Sequence, residues 1–131
     1  MLKVSIPRNV GLFTLIAFAA VISLAAPVSA HHGWGGYLTE EFELSGTLET
    51  PVSVAGPHAT TKMRTADGKV WDIVLAPGGR TVSAGLKEGV IPVGSKVTVH
   101  GHRHRDANKL EIKTERLSWN NRTFNVYPDR D

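Results

Sequence analysis

Three features of the sequence predict an all-β domain carrying one short helix. Apolar residues recur at every second position through most segments after residue 41, a single stretch suits a helix, and Gly, Pro, Asn and Asp punctuate the intervals. Three strands, a helix, two strands and an edge hairpin is the order of a small OB-like five-stranded barrel with an additional C-terminal edge strand. A β-sandwich is the competing architecture, and the lone helix between the third and fourth strands favours the barrel.

From Phe42 the alternation puts Phe42, Leu44, Gly46 and Leu48 on one face and Glu41, Glu43, Ser45, Thr47 and Glu49 on the other, a half-buried strand with a bend expected at Gly46. Thr60 to Arg64 and Lys69 to Leu75 flank Ala66-Asp67-Gly68-Lys69, where Asp-Gly accepts the positive φ of a hairpin turn. Thr81 to Lys87 is the expected helix. Gly89, Pro92 and Gly94 then return the chain to extended structure. Lys96 to Arg103 alternates through Val97 and Val99, and Leu110 to Leu117 through Leu110, Ile112 and Thr114. Asn120-Asn121 turns the chain into Thr123 to Tyr127. Trp71 opens a strand continued by Ile73 and Leu75 and is expected in the core, whereas Trp34 and Tyr37 have no place in it.

Lys3 and Arg8 precede a charge-free, mainly apolar run from Val10 to Ala26, followed by Pro27 and Val28-Ser29-Ala30. A charged segment, an apolar segment and small residues in that order read as a cleavable signal peptide over 1–30, not as a membrane anchor. Export to the periplasm follows, and the absence of cysteine agrees with it without requiring it. The mature chain would then comprise a flexible arm at 31–41 and a domain at 42–131. Lys3 and Arg8 are the only charges before residue 31, so thirteen of the fifteen Lys and Arg remain against all twelve Asp and Glu. The net charge of +3 thus falls to +1, which argues against a polyanion or nucleic-acid partner.

Catalytic motifs are missing. There is no cysteine, no Gly-x-Ser-x-Gly elbow and no Walker loop, and Glu40, Glu41 and Glu43 read as solvation. No enzyme is expected. Six histidines, by contrast, fall in three places after residue 30. His31 and His32 would begin the processed chain, where an α-amine and an imidazole on one residue can chelate a single ion. A nitrogen-rich set of this kind suits Cu(II) or Ni(II), with Zn(II) behind. It is incomplete, so the folded body must add a ligand, for which His58 in the turn after Pro57 is a candidate. His100, His102 and His104 are spaced by two, and an unbroken strand projects such residues from one face at intervals of ~6.6 Å, where His-x-His can share a metal. Gly101 would spoil this by bulging the strand. Interleaved with Arg103 and Arg105, the same residues read equally as a solvated cationic edge.

These residues resemble a family of small exported bacterial proteins classed as a domain of unknown function. Its members carry Ala-His-His and an aromatic after the signal peptide, then Asn-Pro-His, a Trp-initiated strand and a Val-Gly-Asp-x-Val-Thr-Val-x-Gly segment. Ala30-His31-His32-Gly33-Trp34, Gly56-Pro57-His58, Trp71-Asp72-Ile73-Val74-Leu75 and Val93-Gly94-Ser95-Lys96-Val97-Thr98-Val99-His100-Gly101 stand at matching positions. Gly56 replaces the Asn and Gly33 the usual Ser. The resemblance implies that His31, His32 and His58 belong to the pattern and brings no activity with it, which moves the expected metal site from the strand to the arm and His58. The terminal histidine also looks like the histidine brace of exported copper proteins, an analogy of shape.

The expected function is therefore periplasmic metal binding, for copper before zinc or nickel, in sequestration or delivery. Its partners would be the metal ion and another envelope protein. Candidate ligands are His31, His32 and His58, with His100 and His102 on the strand. The alternative is a metal-free OB module that binds an anionic or small envelope ligand through Arg64, Arg103, Arg105 and the outer histidines.

Overall fold

A computed structural model describes residues 2–3 and 33–130. Apart from Leu2 and Lys3, the expected leader lies outside the described residues, as do His31 and His32.

Six strands and one helix follow in the expected order: β1 (Phe42–Leu48), β2 (Thr60–Arg64), β3 (Val70–Val74), α1 (Gly78–Ser83), β4 (Lys96–Arg103), β5 (Glu111–Trp119) and β6 (Arg122–Asn125). Antiparallel pairing runs β3-β2-β1-β4-β5, and the parallel pair of β3 with β5, Asp72 to Val74 against Glu111 to Lys113, closes the ring. The result is a five-stranded barrel. β5 is shared: its first residues pair with β3 to complete the ring, and Arg116 to Trp119 pair with β6, the additional edge strand, while Arg116 to Ser118 keep their pairing with β4. β1 is shared too, pairing with β4 from Phe42 to Thr47 and with β2 at Thr47 and Leu48. Gly46 permits that crossing, because a Cβ there would stand 2.4 Å from the carbonyl oxygen of Arg64.

Alternation places Leu48, Met63, Trp71, Ile73, Val97, Val99, Ile112 and Leu117 in the core, which Val52, Leu75, Leu86, Ile91, Phe124 and Val126 complete. Trp71 is buried as expected, under the Phe42 ring on one side and the Arg103 guanidinium at 5.0 Å. The turns obey their residues. Asn120 and Asn121 both hold positive φ, the geometry of a two-residue hairpin loop, and Gly68 holds φ 81 at the end of the β2–β3 loop.

One expectation is corrected. The helix lies at Gly78–Ser83, upstream of the expected Thr81 to Lys87. Pro77, whose φ is fixed and whose missing N–H costs nothing at a helix start, sets its beginning. Gly85 at φ 91 sets its end, with the Leu86 amide donating to Thr81 and the Gly85 amide to Val82. β5 is buried on both faces: Lys113 and Glu115, of outward parity, are as buried as Ile112 and Thr114. A bulge explains part of this. His100 pairs with Arg116 and Gly101 with Thr114, so Glu115 is the extra residue. Its freed carbonyl accepts the amides of Val126 and Tyr127 at 2.9 and 3.1 Å, which pulls the C-terminal tail across β5.

Candidate functional site

Each histidine can be judged by what its two ring nitrogens face, since a metal needs a lone pair that no hydrogen bond already occupies. His100 Nδ1 faces the Arg116 guanidinium at 2.9 Å. Arginine only donates, so this nitrogen accepts, and the proton sits on Nε2, 3.5 Å from Glu41. His102 is 6% exposed, with Nδ1 2.9 Å from the Leu38 carbonyl and Nε2 2.8 Å from Glu115 Oε1. Both ring nitrogens are therefore occupied by hydrogen-bond partners. His104 Nδ1 accepts the Asp106 amide at 3.0 Å, and its ring meets Tyr37 edge to face.

His58 differs. Its Nδ1 lies 2.9 Å from the Leu75 carbonyl, which can only accept, so Nδ1 donates and Nε2 keeps its lone pair. Among the described residues Nε2 has no partner. A backbone carbonyl that fixes the tautomer and aims the distal nitrogen is the usual support of a histidine ligand. The turn that presents it has Gly56 at φ 82, a conformation open to glycine and, next best, to asparagine, the residue of the resembled pattern. Of the strand candidates, then, both His100 and His102 are engaged in other bonds. Among the described residues no three His, Cys, Asp or Glu stand close enough to hold a metal ion.

The described start of the arm is docked on the barrel. Residues 33–38 lie along β4: Leu38 donates to the Arg103 carbonyl, Tyr37 bridges to His104, and the Arg105 amide donates to Gly36. These bonds tie down a segment expected to be flexible. Lys113 Nζ donates to the Gly33 carbonyl at 2.6 Å. Lys113 is also the register partner of Val74, the residue before the carbonyl that holds His58. The start of the described arm and His58 are thus attached to the same parallel pair of strands.

Sequence reasoning missed what covers the outer face of β5. Trp34 is the centre of a polar-aromatic cluster: the Arg130 guanidinium stacks over it at 3.9 Å, Lys113 Nζ stands 4.8 Å away, and Tyr127 and His102 meet it edge to face. Glu115 Oε1 accepts from both His102 Nε2 and Arg130 Nε. Tyr37 donates its phenolic proton to Glu111 at 2.5 Å, and burial followed by that bond raises its pKa far above the ordinary tyrosine value. Burial and the nearby Arg130 charge lower the Lys113 ammonium, with Glu111 opposing. The one sequence signal was Trp34 and Tyr37 standing on the arm without a core to join.

Of the arginines of the anionic-ligand alternative, Arg64 and Arg103 are engaged, whereas Arg105 is held through Nε alone. Arg64 bonds Glu49 and the Gly68 carbonyl, Arg103 lies over Trp71, and Arg105 Nε donates to Gly35 at 3.0 Å.

A comparison with curated proteins finds no match. Among solved structures the chain is similar to the ZRD-deleted mutant of TiaS in complex with agmatine, at 17% identity over 61% of this chain and 21% of that one, with TM-score 0.46. It is similar at the same level to a tRNA fluorescent labeling enzyme, at 18% identity over 61% of this chain and 18% of that one, with TM-score 0.45. The chain spans about a fifth of the length of these proteins, and nothing of their chemistry is carried over. The sequence relation covers far more: residues 19–113 match the family of unknown function DUF6152, and the chain belongs to that family.

Proposed function

We propose that this protein is exported to the periplasm and binds a metal ion there, Cu(II) before zinc or nickel, for sequestration or delivery to another envelope protein and not for catalysis. The ligands are the α-amine and imidazole of His31 as the processed first residue, the Nε2 of His58, and His32 as a further nitrogen. The observation that carries this is the His58 ring, held through Nδ1 by the Leu75 carbonyl with its Nε2 lone pair left over. Gly33, two residues after His31, is anchored by Lys113, and the intervening chain reaches at most ~7 Å from that anchor. The body then contributes one nitrogen and the processed terminus the others, a set suited to Cu(II). His100 and His102 are left out because their nitrogens are engaged elsewhere.

Mass spectrometry of the exported protein first establishes whether it begins at His31. Cu(II) titration then compares that protein with one bearing an extra alanine before His31 and with His58→Ala. Loss of either ligand is expected to weaken binding by about tenfold or more, the scale set by perturbing even a supporting residue of a metal site. Equal affinity in the extended protein removes the amine from the ligand set. Equal affinity in His58→Ala removes the body's contribution and with it the proposal.

A further inference from the structure

A pocket of about 500 Å³ opens between the arm, β4 and the C-terminal tail, with Trp34, Tyr37, Leu38, His102, Arg105 and Arg130 on its walls. It is within the range of small-molecule sites. Both arginines are tethered in the same way. Arg105 Nε is spent on the Gly35 carbonyl and Arg130 Nε on Glu115, and Arg130 is further fixed by its stacking on Trp34. Among the described residues the terminal nitrogens of both have no partner. A guanidinium already immobilised through Nε loses little further freedom when its terminal N–H groups bind a ligand.

Among the described residues no carboxylate lines the pocket. Glu115 lies behind it, 2% exposed, where its Oε1 accepts from His102 and Arg130. The described lining thus carries two guanidinium charges. Trp34, Tyr37 and Leu38 supply apolar wall for the rest of a ligand.

We infer that this pocket is a binding site for a small carboxylate on a planar apolar body, with the carboxylate on the terminal nitrogens of Arg105 and Arg130 and the body against Trp34 and Tyr37. A carboxylate fits because two planar forks of N–H donors match its two oxygens. Planarity and an apolar body follow from the aromatic walls. The site is separate from the His58 turn and does not rest on metal binding.

The test uses metal-free protein in chelator and benzoate as the probe, beside benzamide, which has the same shape without the charge, and inorganic phosphate, which has charge without the body. Binding is followed by calorimetry and by the indole N–H resonance of Trp34. Benzoate is expected to saturate and shift that resonance, with benzamide and phosphate each at least about tenfold weaker. Arg105→Gln is expected to lose about ten- to a hundredfold in benzoate affinity, the effect of one hydrogen bond between charged groups. Benzamide or phosphate binding as tightly as benzoate overturns the inference, as does failure of benzoate to saturate or unchanged affinity in a folded Arg105→Gln. Should that variant not fold, the ligand series on the unaltered protein decides alone.

Discussion

Tyr37 and Lys113 lie in one cluster and respond to alkali in opposite senses. The Tyr37 phenol is raised by burial and by its bond to Glu111, so the folded chain keeps that proton after the unfolded chain has lost it. Its contribution to stability is complete below the ordinary value of 10.0 and disappears as the pH climbs from there through the folded value. Lys113 is lowered, so its charged form is a penalty on the folded state that is relieved as the pH rises toward 10.5. Tyr37→Phe separates the two, because the ring stays near Lys113 while the hydroxyl goes. The variant is expected to be less stable at pH 7 by about 1 kcal/mol, the low end for a bond to a charged group because the pair is half-exposed to solvent. That deficit should shrink in urea unfolding above pH 10, where the unaltered protein loses what the phenol contributed. A deficit that stays constant from pH 7 to about 11 would show that the phenolic proton is not the source.

At the scale of elements, the contact of β4 with β5 depends on one glycine. A Cβ on Gly101 would stand 2.0 Å from the Lys113 carbonyl oxygen and 2.8 Å from the Thr114 Cα, both backbone atoms that cannot turn aside. Gly79 in α1 is the opposite case, with nothing within 4 Å of an added Cβ and no positive φ. Gly101→Ala is expected to destabilise by about 3 kcal/mol, at the upper end of overpacking costs. Gly79→Ala should stabilise by about 0.5 to 1 kcal/mol through helix propensity. Thermal unfolding of the pair measures both, and equal midpoints would mean that β5 yields at the bulge. The same bulge marks where the sequence stops being legible. The period-two pattern located all six strands and the inward parity of Val97, Val99 and Ile112, because those positions depend only on neighbours along the strand. Gly101 was suspected of bulging β4, yet the extra residue is Glu115 on β5. Lys113 and Glu115 alternate with Ile112 and Thr114 along β5, yet are buried because segments far away in sequence cover them. For the same reason the spacing of His100, His102 and His104 said nothing of which nitrogens would be free. That depended on Leu38, Glu115 and Arg116, which alternation alone does not pair with them.

For the whole molecule, the described chain ends meet over the barrel. The arm reaches β4 through Leu38 and Gly36, the tail reaches β5 through the bulged Glu115 carbonyl, and Trp34 under Arg130 joins them. If the two ends are held as one unit, loosening the tail should loosen the arm, although nearly a hundred residues separate them. A double-mutant cycle on Trp34→Ala and Arg130→Ala tests this, with a coupling energy of about 1 kcal/mol expected for a cation over an indole in a partly desolvated site. Amide exchange gives the location. Arg130→Ala should speed exchange at Leu38 and Arg105, whose amides donate to the Arg103 and Gly36 carbonyls, while leaving Val97 and Val99 in the ring protected. Additive losses with unchanged exchange at Leu38 would mean that arm and tail dock independently. In the coupled case Arg130→Ala should also weaken Cu(II) binding on the proposed reading, without removing any ligand. Freeing the arm adds the entropy of reordering it beside His58 to the cost of binding.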